Sequence, residues 1–463
     1  MKYLHEIADN KIFGANISGF IQSEKGVGSA VRSTIRCFQL SGIPFVLNNF
    51  TDKYSLNDIN LKRFDDFHKE NPFLINLIHI GSDTFQNFIK EKTKSYFNGH
   101  YNIVYWNWEL SEFPKRFYYL FDYVDEIWVP SSFTLSAVSF ASPVPVVRVP
   151  YSISLNNNDE QKKKIREYFG FSPKDYIYLF IFDFQSIMER KNPLGLIKAF
   201  KKAFSIKDNA FLVVKCSHAS TNQINFAEIK HLAEKHRIKI VNSVLADDEI
   251  SSLIDIADCY VSLHRSEGFG LTMAEAMAKG KPVIATGYSG NMDFMTMSNS
   301  YLVKYNLIEI ECDCGVYEQG NLWADPDIDD AARLMRYVYE YRDEASRVGL
   351  TAMDDIKKHL SYPTVGRLIN KRFNTIINSL RSKNLIQADN GKYIFNQEKV
   401  IYNDDRILLN DIYNSYEWKL IVACRRLTSY LLPYGSKRRG IIKSIFKGLS
   451  KAYKITLKNS RLN

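Results

Sequence analysis

The sequence predicts an α/β chain made of two doubly wound, parallel-sheet units in tandem. Three observations carry that expectation. Short apolar runs rich in β-branched and aromatic residues alternate with segments of helical length over most of the chain. Glycine-bearing turns follow several of these runs, at the strand ends where such sheets place ligands. A polar, turn-rich stretch over 156–162 divides the alternation into two similar halves.

The first unit is expected over 1–155. It opens with a strand over 15–21, a glycine loop over 24–29 and a helix from Ser29 to Leu40. Further apolar runs lie at 73–80, 102–106, 126–129 and 144–149. The second unit is expected over 160–362, from a strand at 176–182 and a helix at 194–200 onward. Its run over 257–263 is short, apolar and partly β-branched, as a buried parallel strand requires, and the helix that follows spans 271–279. Asp327 is a natural cap for a helix beginning at that point. A last helix is expected within 363–382 and an extension over 383–463.

Composition narrows the function. At 463 residues the chain has room for more than one core, and 45% hydrophobic with 24% charged residues is ordinary for a globular protein. No apolar stretch has the roughly 18 residues of a membrane span, and Glu6 and Asp9 stand where a secretory signal needs an apolar core, so a cytoplasmic protein is expected. Six cysteines are scattered without zinc-ligand spacing, which suits reduced thiols; Cys312 and Cys314 are the close pair. The formal net charge is +10, but from Lys419 onward there are 12 Lys and Arg and no acid. The basic excess therefore belongs to the tail. A near-neutral body argues against nucleic acid, and the tail's basic and apolar residues alternate at helical period over 418–427 and 440–449. Two readings of Trp418 to Asn463 stay open: contact with an anionic membrane surface, or a helical pair packed on the rest with its charges solvated.

The most informative segment runs from His264 to Glu275, His-Arg-Ser-Glu-Gly-Phe-Gly-Leu-Thr-Met-Ala-Glu. Glu267 falls at a strand's carboxyl end, and Gly268 and Gly270 allow a tight turn whose amides face the same space. Glu275 lies further along the following helix. Carboxylates accept hydrogen bonds from sugar hydroxyls but repel phosphate. Two of them flanking an amide-rich turn suit a ligand with hydroxyls on both sides of a diphosphate.

This segment resembles the E-x7-E signature of retaining GT-B glycosyltransferases of family 4, the glycosyl transferases group 1, including those of bacterial surface-polysaccharide synthesis. The resemblance covers about 12–380 and implies two Rossmann-like domains facing a cleft, with the last helix crossing back onto the first. It implies that Glu267 binds the transferred sugar and Glu275 the ribose, with Gly268, Phe269, Gly270 and Leu271 lining the donor site. Gly290 and Asn291 are similar to the loop that closes over the donor, and Asn242 and Val244 stand where the family meets the base. Gly26 and Gly28 match its phosphate-approaching loop. Lys191 aligns with its diphosphate-binding lysine. Ser186 replaces the arginine usual five positions earlier, so Arg190 is the substitute candidate.

As negative charge grows on the leaving diphosphate, a fixed cation can do the work of a metal. Neither a metal nor another cofactor is therefore expected. Trp106, Asn107, Trp108 and Glu109 form an aromatic and polar run that suits either sugar stacking or a buried core, and with His79 they are acceptor candidates. The resemblance thus implies hexose transfer from GDP-mannose or a UDP-hexose to a glycan or lipid-linked glycan. Front-face displacement is preferred over a covalent double displacement. The rival is a non-catalytic GT-B module that scaffolds a membrane-associated complex.

Overall fold

The structure is a computed structural model that describes residues 11–51, 64, 66–155, 166–167, 169–383, 385–389 and 392–395. The basic stretches of the tail, and with them the expected membrane contact, lie outside the described residues.

The first sheet contains β1 (Lys11–Gly19), β2 (Phe45–Asn49), β3 (Phe73–His79), β4 (Tyr101–Tyr105), β5 (Glu126–Val129) and β6 (Val146–Arg148), in the order β2-β1-β3-β4-β5-β6 with all neighbours parallel. The central strands β4 and β5 are buried along their whole length, which is why they read as mostly apolar runs, broken by Asn102 and Glu126, rather than alternating ones. Three buried asparagines cross this sheet. Asn16 Nδ2 donates to Asn76 Oδ1 at 2.9 Å, and Asn76 Nδ2 to Asn102 Oδ1 at 2.8 Å. A register slip would turn these amides to the other face, so they penalise misalignment.

The second sheet contains β7 (Tyr176–Asp183), β8 (Ala210–Ser217), β9 (Ile238–Asn242), β10 (Cys259–Ser262), β11 (Val283–Thr286) and β12 (Tyr301–Val303), in the order β9-β8-β7-β10-β11-β12, again all parallel. This is the doubly wound order with its reversal between β7 and β10. An antiparallel hairpin, β13 (Tyr305–Glu309) with β14 (Leu322–Pro326), follows β12 and was not expected. Beyond it Asp327 caps the helix Ile328–Glu340, accepting from the N–H groups of Asp329 and Asp330 at 2.9 and 3.0 Å.

The helix Tyr362–Ser382 returns to the first domain. Arg372 makes a two-pronged pair with the fully buried Glu126, at 2.8 and 2.5 Å, and Phe373 inserts among Phe13, Phe38 and Trp128. Gly366 lets it approach the helix Gly26–Ser41, since a Cβ there would stand 3.3 Å from Cys37 O. At the start of the extension, where the sequence marks no element, residues 386–389 and 392–395 form a hairpin, β15 (Ile386–Asp389) and β16 (Lys392–Phe395), whose second strand pairs antiparallel with the start of β1.

Candidate active site

Because the connections leave β7 and β10 in opposite directions, their carboxyl-end loops diverge and frame a crevice. The loop after β7 carries Ser186 to Lys191, and the loop after β10 carries His264 to Gly270. They meet through charge. Lys191 Nζ lies 2.5 Å from Glu267 Oε1 and Arg190 Nη1 lies 3.2 Å from the same oxygen. Arg190 and Glu267 are buried, and the Lys191 side chain keeps 19% exposure. Burial alone would raise the Glu267 carboxyl, but Lys191 and Arg190 outweigh it and hold the group down at about 2. Burial also lowers the Lys191 ammonium, against the pull of Glu267.

Arg190 is further fixed by its own domain. Nη1 donates to Ser266 O at 2.8 Å and Nη2 to Ser186 O at 3.2 Å, while the buried Nε has no acceptor. Ser186 thus serves this guanidinium through its carbonyl. The two cations sit in the last turn of the one-turn helix Met188–Lys191, where the local dipole favours them. On either side the backbone is left-handed: Ile187 has φ 61° and Asn192 φ 55°. Asn192 tolerates this and ties the loops together, accepting from Gly195 N at 3.1 Å and donating to Leu263 O at 2.9 Å. The β-branched Ile187 does not tolerate it readily, and marks strain beside the site.

The Glu267 loop rests on the loop after β11. Glu267 N donates to Ser289 Oγ and Gly290 N to Glu267 O, each at 2.8 Å. A Cβ on Gly290 would lie 2.2 Å from Gly268 O, so the two loops touch at bare backbone. Asn291 is fully buried, with Nδ2 on Thr286 O at 3.0 Å and Oδ1 accepting from His264 Nε2 at 3.2 Å. Gly290 and Asn291, expected in a loop that closes over the donor, are thus packed against the Glu267 loop and His264. Gly270, at φ 98°, starts the helix Leu271–Ala278; Phe269 packs against Tyr151 and Phe294, and Leu271 is half-buried. Glu275, one turn along, is half-buried, and burial together with Asp247 pushes its carboxyl up to about 7, opposed by Lys279 and Arg32.

The first domain closes on this loop. Ser131 Oγ donates to Gly268 O at 2.6 Å, Thr134 Oγ1 to the same oxygen at 3.3 Å, and Ser266 Oγ to Glu109 O. Trp106 and Trp108 lie in the aromatic core, not on a sugar-stacking face: Trp106 stacks on Phe113 at 5.6 Å, and Trp108 meets Phe113 and Phe117 edge-on. Asn107 and Glu109 alternate with them and point the other way, half-buried toward the second domain. Asn107 Oδ1 accepts from Tyr151 OH at 3.0 Å, and Glu109 Oε2 from Tyr317 OH at 2.9 Å. His79 is buried against Tyr105 at 4.5 Å with Nε2 unpartnered, and burial lowers its imidazole to about 3, which keeps it neutral.

In the glycine loop, Gly28 is required by its own turn, since a Cβ there would meet Ser23 O at 1.9 Å, while Gly26 is exposed with open space around it. Asn242, the last residue of β9, and Val244 just beyond it are exposed, two strands from β7.

Several site residues were not singled out by the sequence. Arg32 pairs with Asp247 at 3.0 and 2.8 Å across the domains, and its Nη1 also holds Ser23 O at 2.6 Å. Ser131, Thr134 and Tyr317 contact residues more than a hundred positions away, for which local pattern holds no sign. The exception is His264, which stands in the quoted motif and is buried between Ser262 and Asn291.

Residues 161–352 match the family described as Glycosyl transferases group 1. The trehalose synthase of Thermococcus litoralis is 25% identical over 134 residues, 28% of this chain and 27% of that protein, so the chain spans about a quarter of the length of the curated relatives it matches. Among solved structures, a glycosyltransferase from Rickettsia africae superposes with a TM-score of 0.59 at 14% identity, covering 80% of this chain and 99% of the other. Anabaena HepE in complex with UDP-glucose does so with 0.58 at 13% identity, covering 80% and 100%. At these identities the likeness establishes the fold. The chain has the GT-B fold, and the stretch 161–352 within it is the part similar to the glycosyl transferases group 1 family.

Proposed function

We propose that the protein is a retaining glycosyltransferase that moves a hexose from a nucleoside diphosphate sugar to a glycan or lipid-linked glycan. The observation that carries this reading is the meeting of Arg190, Lys191 and Glu267 at the point where the second sheet reverses, with the buried Arg190 Nε short of an acceptor. The two cations match a diphosphate, and Glu267, held ionised, matches sugar hydroxyls. Glu275 takes the ribose hydroxyls. As the bond from sugar to phosphate breaks, charge grows on the departing diphosphate, and Lys191 and Arg190 stabilise it without a metal ion. Glu267 shares one oxygen with both cations, which suits hydroxyl binding better than attack on carbon. The leaving phosphate then accepts the acceptor's proton on the same face. Asn107, Glu109 and His79 receive the acceptor.

HepE's complex with UDP-glucose supports UDP-hexoses as first donors to try, with GDP-mannose beside them. Surface-polysaccharide assembly at the cytoplasmic face of a membrane is the setting that fits the basic tail; among the described residues no helix is long and apolar enough to cross a membrane. Thermal unfolding of the purified protein tests the reading. A donor at a hundred times its Kd should stabilise by about 2.7 kcal/mol. If neither UDP-glucose, UDP nor GDP-mannose moves the transition, the crevice is not a donor site.

A further inference from the structure

The hairpin of β13 and β14 has a long closed end, 310–321, which belongs to neither sheet and reaches the site. Cys314 and Tyr317 exchange backbone hydrogen bonds at 2.9 and 3.0 Å. Gly315 sits so near Ile187 that a Cβ there would lie 2.6 Å from Cδ1. From the first domain, Arg116 donates to Glu318 Oε1 and to Val316 O, both at 2.5 Å. The turn so fixed leaves Tyr317 3% exposed, with its ring edge-on to Trp108 at 5.7 Å and its hydroxyl donating to Glu109 Oε2 at 2.9 Å.

Glu109 is consequently held from two sides by the second domain: its carbonyl accepts from Ser266, next to Glu267, and its carboxylate from Tyr317. Both Glu109 and Tyr317 lie within electrostatic reach of Arg190. Arg190 is thus in contact with Glu267 and linked to Glu109 through Ser266, whose carbonyl accepts from Arg190 Nη1 at 2.8 Å and whose hydroxyl donates to Glu109 O. A diphosphate entering the crevice must draw the cations away from Glu267. A second carboxylate held nearby offers the guanidinium a further electrostatic partner as it turns toward the diphosphate.

We propose that Tyr317 is a positioning residue for the transfer: by holding Glu109 of the first domain beside Arg190 of the second, it keeps the guanidinium aimed at the leaving diphosphate. The inference rests on the reading of the crevice as a donor site. It assigns a role to an inserted hairpin that lies outside both strand-end loops.

Tyr317→Phe keeps the ring against Trp108 and removes only the hydroxyl. The test measures release of nucleoside diphosphate from whichever of UDP-glucose and GDP-mannose the wild type turns over, for wild type, Tyr317→Phe, Glu109→Gln and the double variant, with a melting curve for each. Tyr317→Phe should lower kcat about tenfold, the scale of one hydrogen bond to a charged group, while KM for the donor stays within about twofold and the melting temperature is nearly unchanged. In the Glu109→Gln background the same substitution should have little further effect. Unchanged kcat, a loss matched by a fall in melting temperature, or additive effects of the two changes would each overturn the proposal while leaving the donor reading intact. A wild type that neither binds nor turns over either donor overturns both.

Discussion

Glu267, Lys191 and Arg190 form a buried cluster whose charges answer one another before any ligand arrives. Lys191→Ala should therefore leave a folded protein, since Arg190 still faces Glu267, yet lower kcat by about 100-fold with a smaller change in donor KM, as a group acting on developing charge does. Steady-state kinetics under donor titration checks this; an unchanged kcat would remove Lys191 from the mechanism. Glu275 predicts a pH dependence. Its carboxyl is raised to about 7, so the ionised form, which on the proposed reading accepts ribose hydroxyls, is lost as pH falls through that value. Donor affinity should weaken from pH 8 to about 6 in the wild type, and the dependence should flatten in Glu275→Gln. Calorimetric titration at several pH values measures it, and a flat wild-type profile would contradict the assignment. The acidic motif and Lys191 were legible because both lie in strand-end loops with recognisable glycine or proline punctuation. Trp106 and Trp108 were not, because an aromatic at alternate strand positions reads the same whether it faces sugar or core; only the rings packed on them, from 113–121, settle it.

The strand runs were readable because parallel strands covered on both faces are continuously apolar, and β5 fell where its sequence placed it. The first helix begins at Gly26, ahead of the expected Ser29, since Gly28 N and Ser29 N already bond to Lys25 O. The hairpin after β12 was missed for a physical reason: its first strand has no buried residue, and its turn is held by Arg116, Ile187 and Glu109, none of them local. Where loops touch at bare backbone, glycine is obligatory. Gly290→Ala should push the Gly268 carbonyl away and cost about 1 to 3 kcal/mol, with a larger loss of donor affinity than of stability because Glu267 moves with its loop. Chemical denaturation alongside donor titration reads both, and a variant with wild-type affinity would show that the loop contact does not place Glu267.

Among the described residues the two domains are joined by Arg32 with Asp247 and by Ser131 and Thr134 on Gly268. Tandem sheets were legible as alternation, but which loops meet was not, since those pairs are separated by up to 215 positions. The tail poses a separate question, answerable without its structure. Removing residues from Trp418 onward should leave donor turnover intact and abolish binding to vesicles of acidic lipid, each Lys or Arg near such a surface contributing about 1 kcal/mol, screened by salt. Co-sedimentation of full-length and shortened protein decides it, and full-length protein that ignores such vesicles at low salt would contradict membrane contact. The central claim is that fixed cations, not a metal, meet the leaving diphosphate. Its most direct test is the rate of nucleoside diphosphate release from UDP-glucose and GDP-mannose in excess EDTA, for wild type and Lys191→Ala. The account predicts full wild-type activity with one donor in EDTA and its collapse in the variant; wild-type activity lost to EDTA and restored by Mg²⁺ or Mn²⁺ would contradict it.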